Sequence, residues 1–125
     1  MTARRPLVVL GLLLLAACDS QSRPKAPRQL VAGGDPEVGE HTFSRYGCVS
    51  CHTIPGVNGA HGKVGPSLEA WAQRRFVAGV APNDPETLIR FVRDPQSVAP
   101  GTAMPNTGVT EHDARQMAAY LYTLH

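Results

Sequence analysis

The feature that most constrains this chain is the sequence Cys48-Val49-Ser50-Cys51-His52, which sets two thiols three positions apart beside an imidazole. A structural zinc site usually needs four Cys or His ligands, often in two pairs, and no second cysteine pair is present. A thioredoxin-like redox motif belongs to a βαβ unit, and no such pattern is visible. A disulfide between Cys48 and Cys51 would close a very small loop. The zinc site and the thioredoxin-like motif therefore lack support elsewhere in the sequence.

The C-x-x-C-H pattern is the signal for c-type haem attachment. Two thiols on one helical turn can reach two vinyl groups at one edge of a porphyrin, and the next residue is then held under the iron as the proximal ligand. The sequence predicts one covalent haem c on Cys48 and Cys51, with iron bound by His52.

The N-terminus has the pattern of an export signal. Arg4 and Arg5 precede an apolar run from Leu7 to Ala17, which is 11 residues long. That run is shorter than the roughly 20 residues that cross a bilayer and suits a secretory signal. We predict a signal peptide over residues 1–17; a membrane anchor helix is the alternative. Export agrees with the haem prediction, because c-type haem is attached outside the cytoplasm.

The stretch Leu15-Ala16-Ala17-Cys18 resembles a bacterial lipobox. The resemblance implies that Cys18 is lipidated and becomes the mature N-terminus, since several acyl chains give a stable anchor. The alternative is ordinary cleavage that leaves Cys18 as a free thiol, which is a liability in an oxidising compartment. Residues 18–34, rich in Pro, Ser and basic side chains and ending in two glycines, are predicted to be the lipidated N-terminus and a flexible tether.

Charge gives little indication of partners. The full chain has 12 basic and 10 acidic side chains, and removal of Arg4 and Arg5 with the signal peptide leaves ten of each. No basic run is interleaved with aromatic residues, so nucleic acid is not an expected partner. At this length we predict one compact domain over residues 35–125.

Three helices are predicted in that domain. Asp35-Pro36 and Asp84-Pro85 are N-cap and first-turn signals, for helices that reach about Tyr46 and about Asp94 respectively. The third helix starts at Thr110 and has an apolar stripe at helical spacing. A short helical turn is expected near residues 67–74, and no segment alternates well enough to be a strand. The predicted fold class is all-α with long loops, which need something to organise them.

The order of a first helix, C-x-x-C-H, Gly-Pro, a loop Met and a last helix resembles class I cytochromes c. The narrower resemblance is to the cytochrome c domain fused to subunit II of some haem–copper oxidases, although this chain has no copper domain. The matching segments are Cys51-His52-Thr53-Ile54-x-Gly56, Val64-Gly65-Pro66-x-Leu68, Arg90-Phe91-Val92-Arg93-Asp94-Pro95-Gln96 and Pro100-Gly101-x-x-Met104-Pro105. The resemblance implies a class I cytochrome c fold wrapped around one haem, and electron transfer near a respiratory oxidase.

Met104 is the predicted sixth ligand of the iron. It stands in a Gly/Pro loop, from which a thioether can be aimed at a metal, whereas Met117 lies on the apolar stripe of the last helix and is expected to pack. His61, in the glycine-rich loop after the motif, is the competing ligand. The other histidines are expected to be solvated: His41, His112 and His125.

The resemblance also implies supporting roles. The carbonyl of Pro66 should accept the ring N–H of His52 and fix the imidazole. Gly39 and Phe43 should meet Tyr120 where the first and last helices cross. Other side chains are expected to pack on the haem or neutralise a propionate, with an ordinary core or solvated position as the alternative: Trp71, Phe91, and Arg74 or Arg75.

With His52 and Met104 both bound, the iron would have no open position, and Met/His ligation suits electron transfer. We therefore expect a non-enzymatic, monomeric one-electron carrier in a respiratory chain. It is expected to be lipid-anchored on the periplasmic side of the bacterial inner membrane, exchanging electrons with donor and acceptor proteins that include a haem–copper oxidase. The competing classes are a haem enzyme or gas sensor with a vacant sixth site, and an assembly lipoprotein in which haem is secondary.

Overall fold

The computed structural model describes residues 30–125. The predicted signal peptide, the lipidation site Cys18 and the tether as far as residue 29 lie outside the described residues. Within residues 30–125, no helix has both the length and the apolar character needed to cross a membrane.

The first helix, α1, spans Pro36–Arg45. The Asp35 side chain accepts a hydrogen bond from the Glu37 amide at 2.9 Å, and Pro36 occupies a position where a missing N–H costs nothing. The helix ends at Tyr46, and Gly47 follows in the left-handed conformation (φ 73°). The chain therefore turns sharply just before the C-x-x-C-H motif.

The second helix, α2, spans Pro85–Arg93 and uses the same cap, with the Asp84 carboxylate accepting from the Thr87 amide at 2.9 Å. It ends at Asp94, because a residue before proline avoids the helical conformation. Pro95 then starts a further short helix, α3 (Pro95–Val98), which the sequence analysis did not predict. The same proline that ends one helix has the backbone geometry to begin the next.

The last helix, α4, spans Glu111–Leu121, and the Thr110 hydroxyl caps it by accepting from the Asp113 amide at 3.1 Å. It crosses α1 at Gly39, where a Cβ would overlap the Gln116 carbonyl and lie 3.0 Å from Tyr120 Cβ. The Phe43 and Tyr120 rings meet edge to face with centroids 5.8 Å apart. The predicted contact between the first and last helices is confirmed.

One expectation was wrong in detail. The chain forms a small antiparallel hairpin in which β1 (Phe76–Val77) pairs with β2 (Ala81–Pro82). Each strand has only two residues, too few for an alternating pattern to show in the sequence. The turn between them is formed by Ala78 and Gly79, both at positive φ.

The packed domain begins earlier than the predicted boundary at residue 35. Val31 is buried, and a Cβ at Gly34 would lie 2.7 Å from the Ala119 Cβ on α4. Arg115 and Gln116 donate hydrogen bonds to the carbonyls of Ala32 and Gly33. These contacts make residues 31–34 part of the domain rather than of a free tether.

Candidate haem site

The C-x-x-C-H segment folds into a 3₁₀ turn over Cys48–Ser50. The amides of Cys51 and His52 both donate to the Cys48 carbonyl, at 3.2 and 3.0 Å. Cys48 and Cys51 are half-buried free thiols, not a disulfide. Burial raises the pKa of the Cys48 thiol, so this sulfur is held as a thiol at neutral pH.

A cavity of about 530 Å³ opens beside this turn and is predominantly apolar in its lining. Both thiols and the His52 ring lie on its wall, together with side chains from α2, α4 and the intervening loops. The apolar residues that line it are Phe43, Val64, Leu68, Trp71, Phe76, Leu88, Phe91, Val92, Met104, Met117 and Leu121. A large apolar hollow with a few placed polar groups suits a bulky organic cofactor.

The His52 ring is oriented by a backbone contact. Its Nδ1 lies 2.7 Å from the Pro66 carbonyl oxygen. A carbonyl only accepts, so Nδ1 carries the proton, and in the neutral ring Nε2 keeps a lone pair for a metal. Gly65 permits this arrangement, because a Cβ there would lie 2.7 Å from His52 Nδ1. The resemblance to class I cytochromes c predicts the Pro66 contact but not the need for Gly65.

Met104 and His52 line the same cavity, whereas His61 does not. The loop that carries Met104 is tied down by the side chain of Gln96, which donates to the Thr102 carbonyl at 2.7 Å and accepts from the Gly101 amide at 2.8 Å. Met117 also lines the cavity, but it belongs to α4 and its side chain is fully buried. The role of Gln96 was not predicted. A glutamine five residues before Gly101 is not a recognisable sequence pattern for a contact that holds a loop.

Trp71 and Arg74 also line the cavity. Trp71 is buried, and in the described part of the chain its ring N–H is buried without a hydrogen-bond partner. Arg74 stacks over the indole with its guanidinium carbon 5.0 Å from the ring centroid, and it lines the cavity. Arg75 instead lies over Phe76 at 6.0 Å. Trp71 and Arg74 thus place an aromatic ring and a cation on the wall of the cavity.

These residues fit a c-type haem. Both thiols and an imidazole oriented by a carbonyl line one apolar cavity, and the Arg74 cation is available there for a carboxylate such as a haem propionate. The zinc alternative finds no support, because no three His, Cys, Asp or Glu side chains of residues 30–125 are grouped to hold a metal.

Comparison with known proteins agrees with this site. Residues 34–121 match the family model described as cytochrome c oxidase, cbb3-type, subunit III. The chain is 33% identical over 87 residues to cytochrome c oxidase subunit 2 of Alkalihalophilus pseudofirmus, covering 69% of this chain and 25% of that protein. It is 35% identical over 107 residues to cytochrome c2 of Rhodopila globiformis, covering 73% of this chain and 94% of that protein.

Among solved structures, cytochrome c2 from Rhodobacter sphaeroides superposes with a TM-score of 0.51 at 25% identity, covering 73% of this chain and 96% of that chain. The fold and site thus define a class I cytochrome c with one covalently bound haem c. This chain belongs to the cytochrome c family, in the cbb3-type group of domains. It spans about a quarter of the oxidase subunit 2 relative.

Proposed function

We propose that this electron carrier of the cytochrome c family holds its haem iron between His52 Nε2 and the Met104 thioether. The observation that carries the proposal is that both side chains line one cavity, beside the two thiols of the attachment motif. The Pro66 contact frees Nε2 for the iron. Met104 is the one lining Met that comes from a loop rather than from a helix.

The haem, when bound, supplies a one-electron Fe(III)/Fe(II) couple, and the protein has three tasks around it. Pro66 holds the His52 ring in one tautomer, which keeps the imidazole available as a ligand in both oxidation states. Gln96 holds the loop of Met104, so this ligand need not move when the charge on the site changes. The apolar lining excludes water and limits the rearrangement that accompanies each electron.

The proposed partners are respiratory donor and acceptor proteins, including a haem–copper oxidase. Support comes from the relatives named cytochrome c oxidase subunit 2. Electrons would enter and leave where lining residues are exposed, at Val64 and Phe76, which are 87% and 51% exposed. We further propose that Cys18 is lipidated and tethers a monomeric domain to the periplasmic side of the inner membrane.

The ligand assignment is tested with Met104→Ala, and Met117→Leu is the matched control. We expect Met104→Ala to abolish the ferric sulfur-to-iron charge-transfer band and to lower the reduction potential, because Met/His ligation raises it. Met117→Leu keeps the packed volume and should retain the band. Persistence of the band in Met104→Ala would show that another residue binds the iron.

The tether is tested separately with Cys18→Ser. In fractionated cells that mature c-type haem, the red wild-type protein should be found in the membrane fraction, and the Cys18→Ser variant should be found in the soluble fraction. Membrane retention of Cys18→Ser would contradict lipid anchoring while leaving the ligand assignment intact.

A further inference from the structure

Residues 67–74, which we call the wall turn, contribute Leu68, Trp71 and Arg74 to the lining of the cavity. Within it, Ala70 has φ 49°, a left-handed conformation that is unfavourable for a residue with a Cβ. Local sequence preference does not favour such a turn, so contacts from the rest of the fold must hold it.

Asn83 provides the main side-chain contact from outside the wall turn. Its side-chain N–H₂ donates to the carbonyls of Trp71 and Arg74, at 3.1 and 3.0 Å. Its own backbone amide donates to the carbonyl of Arg75 at 3.0 Å. One residue thus bridges both ends of the short 3₁₀ segment that presents Trp71 and Arg74 to the cavity.

Tyr122 fixes Asn83 in turn. The Tyr122 hydroxyl donates to the Asn83 side-chain oxygen at 2.8 Å, and the tyrosine is 1% exposed. Burial raises the pKa of Tyr122 above its ordinary value, so the hydroxyl keeps its proton at neutral pH. Because Tyr122 follows the last turn of α4, it connects the wall turn to the helix that also brings Met117 and Leu121 to the cavity.

The wall turn presents an aromatic ring and a cation to the cavity. The Trp71 ring lines the cavity, with its N–H buried near the Tyr122 hydroxyl. Arg74 carries the nearby cation and is itself restrained by donating to the carbonyls of Ser67 and Glu69. A cation beside a haem carboxylate offsets negative charge that would otherwise favour Fe(III).

We propose that Asn83, held by Tyr122, is a positioning residue that fixes Trp71 and Arg74 against the haem and thereby raises its reduction potential. This inference rests on the proposed function, because it requires the haem to be seated in this cavity. Asn83 touches neither the iron ligands nor the attachment thiols, so its effect must pass through the wall turn.

The test compares Asn83→Ala and Tyr122→Phe with the control Tyr46→Phe in haem-loaded protein. Tyr46 also donates a phenol hydrogen bond to a side chain of another segment, Asp113 at 2.6 Å, but it does not line the cavity. The first readout is the reduction potential. The second is the fluorescence of Trp71, the single tryptophan of the chain, which nearby haem should quench.

For Asn83→Ala we expect at least a threefold fall in the ratio of reduced to oxidised protein at fixed ambient potential, about 28 mV for a one-electron couple. Trp71 fluorescence should rise as the indole leaves the haem. Tyr122→Phe should shift both readouts in the same direction but less, because Asn83 keeps its two donors. Tyr46→Phe should move neither.

If Asn83→Ala and Tyr122→Phe shift the potential and the fluorescence no more than Tyr46→Phe, the inference is overturned. The ferric Met104 band in the same samples separates this outcome from failure of the proposed function. A band present with unshifted potentials rejects only the role of Asn83. A band absent from the wild-type protein rejects only the ligand assignment, and the comparison with Tyr46→Phe then still decides the role of Asn83.

Discussion

At the crossing of α1 and α4 the polypeptide completes its own packing, whereas at the haem cavity it does not. Gly39 lets the helix backbones touch, and Phe43 stacks edge to face on Tyr120. At the cavity, the apolar side chains of Val64 and Phe76 are 87% and 51% exposed. The scaffold half of the domain, at this crossing, is closed by contacts between protein groups, whereas the cavity half, formed mainly by loops, leaves an apolar cavity open for the cofactor.

The strongest test of this contrast is to prevent haem attachment with the double variant Cys48→Ala, Cys51→Ala. Without haem, the apolar lining of the cavity of about 530 Å³ would face water, and exposed apolar surface destabilises the fold. We expect far-ultraviolet circular dichroism to show loss of the cooperative fold. Cys18→Ser is the control and should stay folded. If the double variant unfolds at the same temperature as the wild-type protein, the cavity half does not depend on haem and the contrast with the helix crossing is wrong.

The scaffold half is tested with Gly39→Ala. The new Cβ would overlap the Gln116 carbonyl, which is backbone and cannot rotate away. We expect the free energy of unfolding to fall by about 3 kcal/mol, measured by denaturant titration of the haem-loaded protein. Ser44→Ala, on the exposed side of α1, should change it by less than about 0.5 kcal/mol. Equal effects of the two variants would mean that the crossing is not close-packed.

The same substitution in the cavity half, Gly65→Ala, should have a different signature. Its Cβ would press on the His52 ring, so we expect a loss of about 2 kcal/mol together with a changed haem absorption spectrum. The control Gly59→Ala has positive φ (77°) but no neighbouring atom within 4 Å. It should cost about 1–2 kcal/mol through backbone strain and leave the spectrum unchanged. An unaltered spectrum in Gly65→Ala would argue against a constrained His52.

The smallest expected effect is electrostatic and concerns Asp113 in the first turn of α4. The Tyr46 hydroxyl, with smaller contributions from His112 and Arg45, lowers the pKa of Asp113 below its ordinary 3.8. A lowered folded-state pKa stabilises the protein above the unfolded-state value, and this stabilisation is lost as the pH falls through the folded-state value. Asp113→Asn should therefore cost about 1–2 kcal/mol at pH 7.

That cost should shrink as the pH falls below 3.8, where the wild-type carboxylate also becomes protonated. Denaturant titrations of the wild-type protein and of Asp113→Asn across this pH range measure the difference in their free energies of unfolding. A difference that stays constant with pH would show that the side chain acts through packing rather than charge.

The parts of the fold that follow from local signals were predictable from the sequence. Asp35-Pro36 and Asp84-Pro85 fix the starts of α1 and α2, because cap and proline act within one turn. The C-x-x-C-H motif locates the attachment residues for the same reason. The class I cytochrome c fold and a covalent haem c are confirmed by the family match over residues 34–121 and by the cytochrome c2 structures.

The remaining features depend on residues far apart in the chain. Asn83 contacts Tyr122 across 39 positions, and the docking of Val31 on the domain depends on α4. The hairpin at Phe76–Val77 forms between strands of two residues, too short for periodicity to indicate. Each of these contacts is decided by tertiary packing between distant segments, which no local pattern encodes.

The most direct test of the account is exposure of the reduced, haem-loaded protein to carbon monoxide at neutral pH. If His52 and Met104 occupy both axial positions, the absorption spectrum should stay unchanged, while Met104→Ala should bind the gas. Ready binding by the wild-type protein would reveal an open iron position and contradict the proposal of a pure electron carrier.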